Sequence, residues 1–372
     1  MIALPARPRI LVVALRRLGD VLLTTPLIRS LKHAWPDAAI DVLVFRGTEG
    51  ILDGNPDIAA VLTLPERAST RDSLALLGKL WRAYDLAIST QSGDRPTLFA
   101  WGAGRQRAGF IETSSGPMGQ MKRWAFDVPV EIVTGTHRVR EVLSLAEACG
   151  ITGVPKVVLP ALQPLPVPDR PYAVIHAAPM FRYKRWTHEG WRGVAAALAA
   201  RGLDVIATSG PSGDERHYLD EVWGEGDAQV QRLDPLAWGE LAALIAGARL
   251  FVGPDTSVTH LAAATGTATI ALFGPTDPRL WAPWPVHGLD RPWDAAGTVQ
   301  NRGNVWLVQN APSCPWSIMP CQREGCERHL NSHSRCLDEL PVSQVFSAVD
   351  AGLAGGPLEQ SAPVARRDER RY

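Results

Sequence analysis

Three observations predict that this sequence forms an α/β protein built from two similar halves. Short apolar runs rich in Val, Ile and Leu alternate with amphipathic stretches, this alternation stops once, and it then starts again. Continuous apolar runs between helices are typical of buried parallel strands. The 372 residues also give room for about two domains. We therefore expect two Rossmann-like domains that face a central cleft, with ligands at the carboxyl ends of the strands.

The first half, residues 1–160, contains the first set of predicted elements. Its predicted strands are residues 10–15, 40–45, 59–64 and 86–89. Its predicted helices are residues 20–34, 73–82 and 137–149. Five prolines then fall among residues 160–171, where neither a helix nor a central strand can continue. We interpret residues 161–171 as a linker between two domains.

The same alternation returns in residues 172–354, which we predict to be the second domain. Its predicted strands are residues 172–176, 204–208, 250–253 and 269–273. Its predicted helices are residues 186–200, 236–246 and 257–265. Residues 275–312 are rich in Pro, Trp and Gly and are predicted to form a loop. The tail, residues 355–372, is predicted to be disordered.

The overall composition disfavours several classes of protein. Lys and Arg balance Asp and Glu at 38 each, which is unusual for a general nucleic-acid binder. No segment is both long and apolar enough to span a membrane, and the apolar run at residues 10–15 is too short for a signal peptide. We therefore predict a cytoplasmic protein with reduced cysteines.

The first candidate site follows the first predicted strand. Asp20 comes directly after Gly19, at the start of a predicted helix. A carboxylate at this edge can act as a general base or can cap the helix, and both interpretations stay open. The Gly-x-Gly-x-x-Gly pattern is absent here, which disfavours a nicotinamide oxidoreductase.

Three segments of the second half carry residue types suited to a phosphorylated nucleotide. Lys184 precedes a helix, where an ammonium group binds phosphate or simply lies in solvent. Glu215, or Asp214 beside it, is placed to bind ribose hydroxyls or to stabilise the first turn of a helix. Residues 255–260 open an Ala-rich helix whose free N–H groups can bind phosphate. From its position alone, His260 is expected to be a packed and hydrogen-bonded structural histidine.

Four segments together resemble glycosyltransferase family 9, the ADP-heptose:lipopolysaccharide heptosyltransferases. They are Arg17-Leu18-Gly19-Asp20, Lys184-Arg185-Trp186, Asp255-Thr256-Ser257-Val258-Thr259-His260-Leu261 and Phe273-Gly274-Pro275-Thr276-Asp277-Pro278. The resemblance covers about residues 9–350. It implies the GT-B fold and an inverting transfer of heptose from ADP-heptose to the lipopolysaccharide inner core, with neither a metal ion nor a cofactor.

The resemblance also implies roles for individual residues. Asp20 matches the general base that deprotonates the acceptor hydroxyl, and Lys184 matches the lysine that steadies the diphosphate. The positions that match donor-binding residues are Glu215, Asp255, Thr256, Ser257 and His260. The weaker matches on the acceptor side are Arg16, Arg17 and Gly19.

Departures from the family pattern keep other interpretations open. Ala178 and Pro179 stand where hydroxyl residues are frequent in the family, Ser257 stands where glycine is frequent, and residues 281–304 are longer than usual. The alternatives are a GT-B transferase or an epimerase that uses another nucleotide sugar, and a non-catalytic nucleotide-binding protein.

The expected partners are a nucleotide sugar and a lipid-linked core oligosaccharide, without nucleic acid. A lipid-linked acceptor implies transient peripheral contact with the inner face of the inner membrane. The cations of the first half can meet anionic sugars, phosphates or headgroups, or can form an ordinary solvated surface. They are Arg16, Arg17, Arg46, Arg105, Arg107, Lys122 and Arg123.

Four cysteines fall close together near the end of the chain: Cys314, Cys321, Cys326 and Cys336. Their spacing lacks the Cys-x-x-Cys pair typical of structural zinc sites. Reduced thiols are our first interpretation, and a metal site or a disulfide are the alternatives. Cys149 lies on an apolar helix face and is expected in the core.

Overall fold

The computed structural model describes residues 2–112, 117–224, 229–310 and 319–355. Within this part of the chain there are two largely parallel sheets, of six and seven strands. Residues 151–171 pass from one sheet to the other without a helix or a strand. The two-domain α/β architecture predicted from the apolar pattern is therefore present.

The first sheet is entirely parallel. Its strands are β1 Arg9–Ala14, β2 Ala39–Phe45, β3 Ala60–Leu64, β4 Tyr84–Ser89, β5 Gly104–Ile111 and β6 Val128–Glu131. Their order is β3-β2-β1-β4-β5-β6. The order reverses between β1 and β4, and ligands bind at the carboxyl ends of strands beside such a reversal.

Helices cover both faces of this sheet. They are α1 Leu18–Leu22, α2 Thr25–Ala34, α3 Thr70–Leu80, α4 Asp94–Ala103, α5 Pro117–Ala125 and α6 Arg138–Ala148. The helices α3, α4 and α5 lie side by side on one face, and α2 packs against α6 on the other. The single helix predicted over residues 20–34 is wrong, because the chain turns at Leu23 and Thr24 and Pro26 offers no N–H to continue the helix.

The second sheet repeats this plan. Its strands are β7 Tyr172–Ile175, β8 Asp204–Ala207, β9 Val230–Arg232, β10 Leu250–Pro254, β11 Thr269–Phe273, β12 Val299–Arg302 and β13 Val305–Gln309. Their order is β12-β13-β11-β10-β7-β8-β9, and β12 runs antiparallel to its neighbour β13. Here the strand order reverses between β7 and β10.

The helices of the second half are α7 His188–Ala200, α8 Gly213–Trp223, α9 Trp238–Gly247, α10 Ser257–Thr265, α11 Pro278–Trp281, α12 Arg335–Asp338 and α13 Val342–Gly355. The helices α7 and α13 pack together on one face of the sheet, and α9 packs against α10 on the other. The predicted tail starts at the last residue of α13, and residues 356–372 lie outside the described part.

The prediction of a loop over residues 275–312 is wrong. This segment contains α11, β12 and β13, and β13 pairs in parallel with the central strand β11. The sequence of β13, Val-Trp-Leu-Val-Gln, is a short apolar run of the usual kind. The Pro, Gly and Trp residues around it obscured this run.

The two halves are joined by the linker and by direct contacts. The Ala161 N–H donates to the Asp53 carbonyl at 2.7 Å, and the Gln163 N–H donates to the Gly239 carbonyl at 3.1 Å. The His137 Nε2 lies 2.8 Å from the Ala282 carbonyl oxygen, which connects the start of α6 to the second half. One apolar cluster also runs through both halves, so the domains pack closely.

Candidate active site

The ligand-binding edges of the two sheets meet where helix α1 packs against helix α10. Helix α1 follows β1, and α10 follows β10, so each helix begins at the point where its own strand order reverses. A Cβ placed on Gly19 would lie 3.5 Å from the His260 ring and 3.8 Å from the Ser257 Cα. The contact therefore brings together the first and the strongest of the segments chosen from the sequence.

Asp20 lies on the first-half side of this contact, beside a buried arginine. Its Oδ1 is 3.6 Å from the Arg138 Nε and 3.7 Å from the Arg16 Nη1, distances too long for hydrogen bonds. This Oδ1 is buried and has no hydrogen-bond partner. Asp20 is therefore held by charge while one of its oxygens stays available to accept a proton.

The alternative interpretation of Asp20 as a helix-capping residue is realised only in its place in the first turn, where an acidic side chain favours the helix dipole. The residue in the N-cap position of α1 is Arg17, and its side chain makes no capping hydrogen bond. Asp20 stands in the first turn of the helix and makes no side-chain hydrogen bond to the backbone N–H groups there. Its carboxylate is left for other contacts.

Arg138 is the residue that sequence reasoning missed on this side. Its side chain is 2% exposed, its Nη2 donates to the Thr90 carbonyl at 3.1 Å, and its Nη1 lies 3.1 Å from the Glu141 carboxylate. Burial lowers the pKa of the guanidinium, while the carboxylates of Asp20 and Glu141 act in the opposite direction. Arg138 lies in the mixed stretch Arg-Val-Arg-Glu, which gives no signal in the sequence that this arginine is buried next to Asp20.

Lys184 and Asp255 form a buried ion pair on the second-half side. The Lys184 Nζ donates to the Asp255 Oδ2 at 2.7 Å and to the Asp255 carbonyl at 3.1 Å. The Thr276 hydroxyl donates to the same Oδ2 at 2.7 Å. Burial alone would raise the pKa of Asp255, but the Lys184 ammonium and these hydrogen bonds outweigh it and hold the pKa below its ordinary value.

The start of helix α10 offers donors to an anion. Thr256 is the N-cap residue, but its hydroxyl does not cap the helix and lies 3.4 Å from the Thr259 hydroxyl instead. Ser257 follows as the first residue of the helix and is partly exposed. The first-turn N–H groups therefore have no side-chain cap and can donate to a phosphate.

His260 is packed as expected, but its predicted hydrogen bonding is only partly realised. The side chain is 6% exposed, and its Nδ1 is buried without a hydrogen-bond partner. Burial lowers the pKa of His260, which keeps the ring neutral, while Asp255 and Asp20 oppose this shift. The neutral ring interacts with both carboxylates, and its unpartnered Nδ1 can form a hydrogen bond with a ligand in the cleft.

Glu215 is already engaged by its own helix. Its carboxylate accepts from the Ser212 backbone N–H at 3.3 Å, and its own N–H donates to the Ser212 hydroxyl at 3.2 Å, which is a capping box. The Ser212 hydroxyl also donates to this carboxylate at 2.8 Å. The first-turn role considered from the sequence is thus present. The carboxylate also closes over Gly210 after β8, so a ribose-binding role stays a prediction.

The acceptor-side candidates lie at the junction of the two halves. The Arg17 guanidinium lies 4.6 Å from the centre of the Phe181 ring, in a cation–π contact between the halves. Arg16 lies beside Asp20, and Gly19 lies against α10. Their binding of an acceptor stays a prediction.

The cysteine segment is described only in part, because Cys314 lies outside the described residues. Cys321 and Cys326 are partly buried, and the Cys326 Sγ accepts from the Arg335 N–H at 3.4 Å. Cys336 is buried, and so is Cys149 in the first-half core. Among the residues described, no group of three His, Cys, Asp or Glu side chains is arranged to hold a metal ion.

Comparison with known proteins identifies the family. Residues 74–288 match the family described as glycosyltransferase family 9 (heptosyltransferase). Lipopolysaccharide heptosyltransferase 3 of Escherichia coli is 34% identical over 373 residues, which cover 94% of this chain and 98% of that protein. The chain belongs to glycosyltransferase family 9. Lipopolysaccharide heptosyltransferase 1 of Pseudomonas aeruginosa is 27% identical over 90% of this chain and 92% of its own.

Solved structures agree on the fold. The E. coli ADP-heptose lipopolysaccharide heptosyltransferase II gives a TM-score of 0.69 at 18% identity, over 93% of this chain and 99% of that one. A family 9 glycosyltransferase from Veillonella parvula gives 0.73 at 18% identity, over 95% and 99%. These likenesses confirm the predicted GT-B fold, and family membership confirms that the chain is a glycosyltransferase rather than an epimerase or a non-catalytic binder.

Among the helices of the described ranges, none is long and apolar enough to cross a membrane.

Proposed function

We propose that this glycosyltransferase moves heptose from ADP-heptose to the lipopolysaccharide inner core, with inversion at the anomeric carbon and without a metal ion. Its family and its named relatives support heptose transfer to lipopolysaccharide in general. The observation that carries the finer proposal is the meeting of two unlike carboxylates, Asp20 and Asp255, on either side of the contact between α1 and α10.

Asp20 is the general base in this proposal. Its buried Oδ1 has no hydrogen-bond partner, and the Arg138 and Arg16 guanidinium groups lie 3.6 and 3.7 Å from it. It takes the proton of an acceptor hydroxyl as that oxygen attacks the anomeric carbon. Asp255 is unsuited to this role, because Lys184 and Thr276 already donate to its Oδ2.

The second half receives the leaving group. As the new bond to the acceptor oxygen forms, the bond between the anomeric carbon and the diphosphate oxygen breaks, and ADP takes up the negative charge. The Lys184 ammonium and the uncapped N–H groups at the start of α10 are placed to meet that charge, so the site supplies its own cation. Base and leaving-group site lie in opposite halves, which suits a single displacement with inversion.

The specific step is proposed from the relatives. Identity is higher to the E. coli protein named heptosyltransferase 3, at 34%, than to the P. aeruginosa protein named heptosyltransferase 1, at 27%. We assign this chain the step of heptosyltransferase 3. A set of core acceptors that differ by one heptose tests this assignment by product mass.

The central test is Asp20→Asn, assayed for ADP release and product mass with ADP-heptose and a truncated core acceptor. General-base catalysis contributes about 10²–10⁴ in rate, so we expect turnover to fall by about a thousandfold. ADP affinity, followed by the thermal shift, is expected to stay unchanged. The same assay with EDTA addresses metal independence, and full activity in EDTA is expected.

Glu141→Gln is the matched control for this substitution. Glu141 contacts the same Arg138 but does not reach the site, so the variant is expected to turn over within a few-fold of wild type. A fully active Asp20→Asn variant contradicts the base assignment. Wild type that binds ADP but transfers no heptose contradicts the donor or the acceptor assignment instead.

A further inference from the structure

The outer helix layer of the first half, formed by α3, α4 and α5, exposes an unusual set of apolar side chains. These side chains are Leu74, Trp81, Leu98, Trp101, Met121 and Trp124. Trp124 is 79% exposed and Trp81 is 51% exposed. Single exposed apolar residues are common on soluble proteins, but a set that includes three tryptophans on one helix layer marks an interaction surface.

The spacing of these residues places them on the outward sides of their helices. Leu98 and Trp101 are three residues apart on α4, and Met121 and Trp124 are three residues apart on α5. The Trp81 and Trp101 rings pack edge to face with centroids 5.5 Å apart, which joins the end of α3 to α4. The Lys122 Nζ lies 2.7 Å from the Asp94 carboxylate, which joins α5 to the start of α4.

The same layer carries positive charge. The helices α3, α4 and α5 contain five Lys or Arg and two Asp or Glu, an excess of three positive charges, although Lys122 pairs with Asp94 and Arg123 pairs with Glu131. Arg71 and Lys79 on α3 are exposed, and no ion pair of theirs occurs among the described residues. Aromatic rings with cations around them match the interface of a membrane, where indole lies at headgroup depth and anionic lipids attract Lys and Arg.

We propose that the α3-α4-α5 layer is the surface by which this enzyme docks on an anionic lipid bilayer. A second copy of the chain fits this layer less well, because a two-fold dimer through it would set its positive charges against themselves. A bilayer surface binds both kinds of side chain, because tryptophan lies at headgroup depth and Arg and Lys are attracted to anionic lipids.

Docking through this layer would place the active site near the bilayer, an inference that rests on the proposed function. Helix α4 begins directly after β4, the strand that neighbours β1, and the Gln91 amide on the connecting loop donates to the Leu15 carbonyl at 2.7 Å. The layer therefore flanks the edge of the sheet that carries Asp20. A bilayer against it would bring a lipid-linked acceptor to the side of the base.

Vesicle cosedimentation of the full chain, without donor or acceptor, tests docking separately from the reaction. Wild type is expected to bind vesicles of phosphatidylethanolamine with phosphatidylglycerol, to bind phosphatidylcholine vesicles weakly, and to dissociate as salt is raised. Trp124→Ala is expected to weaken binding by about tenfold. Replacing Arg71 and Lys79 by Gln is expected to weaken it by about fivefold for each charge removed.

Leu162→Ala is the matched control, because Leu162 is an exposed apolar residue outside the layer. It is expected to bind vesicles like wild type, and thermal unfolding checks that every variant is folded. Trp124→Ala that binds as tightly as wild type overturns the proposal. The proposal is also overturned if wild type does not bind anionic vesicles but forms a dimer, and the Trp124→Ala variant is a monomer. Vesicle binding without heptose transfer leaves docking supported and the proposed reaction contradicted.

Discussion

The two carboxylates at the contact between α1 and α10 differ in how fully they are satisfied. Asp255 accepts from Lys184 and Thr276 on one oxygen, and the ion pair holds its pKa low. Asp20 is near two guanidinium groups, yet its buried Oδ1 accepts no hydrogen bond. The same residue type is thus a fixed anion in an ion pair on one side, while on the other it keeps an open oxygen, as the proposed role of general base requires.

The same substitution made at Asp20 and at Asp255 tests whether the two carboxylates differ in role. Asp255→Asn leaves the partly buried Lys184 ammonium without its carboxylate, and we expect a cost of about 3 kcal/mol, at the lower end of the range for buried pairs. Asp20→Asn removes no hydrogen bond from Oδ1, and Glu141 still pairs with the buried Arg138, so we expect it to cost well under half of that. Urea unfolding of both variants measures the difference. Equal losses of stability would mean that the two carboxylates are not distinct in role.

Two buried histidines make the stability of the folded chain sensitive to pH, and one of them, His137, connects the two halves. Burial lowers the pKa of His137 and of His176 from 6.5 to about 4. Below pH 6.5 the two imidazoles bind protons in the unfolded chain but stay neutral in the folded chain. The contribution of each histidine to the free energy of unfolding therefore falls by about 3 kcal/mol as the pH drops from 6.5 towards 4. Above pH 6.5 this contribution is constant.

His137→Asn isolates the histidine that joins the halves. Asn keeps an acceptor for the Val139 N–H, which His137 now caps, but it removes the contact to Ala282. The variant is expected to lose less stability than wild type between about pH 7 and about pH 5. Unfolding curves at both pH values measure this, and parallel losses in the two proteins would count against it.

The smallest effect separates the two roles of Glu215. Glu215→Gln keeps a capping-box side chain but loses the carboxylate, so we expect ADP affinity to fall by about tenfold with little change in stability. Ser212→Ala does the reverse, because it removes the cap and costs about 1 kcal/mol. Titration calorimetry with ADP and thermal unfolding give the two readouts. An unchanged ADP affinity in Glu215→Gln would leave Glu215 as a helix cap only.

Much of the fold followed from local pattern. The central strands β1, β2, β10 and β11 were predicted because each is a short apolar run buried on both faces. The strands β5 and β6 were missed because polar residues interrupt them, as in Gly-Arg-Gln-Arg at the start of β5. The strand β13 was missed because a window rich in Pro, Gly and Trp surrounds it.

The residues of the candidate site also fall into those that the sequence predicted and those that it did not. Asp20, Lys184, Asp255 and the residues at the start of α10 were chosen from the sequence, because each directly follows a strand or begins a helix. Arg138 was not, since its role comes from a contact with a residue more than a hundred positions earlier. The hydrogen bond from Thr276 to Asp255 likewise joins two separate loops.

The alternation of strands and helices, the division into two halves and the residue types at the strand ends can be predicted from the amino-acid sequence, because these features depend on neighbours along the chain. In contrast, the packing of the folded chain sets which carboxylate is left with an open oxygen and which one is held in an ion pair. It also decided that six exposed apolar residues from three helices form one layer. Both depend on contacts between distant segments, and such contacts are set by the packing of the whole chain.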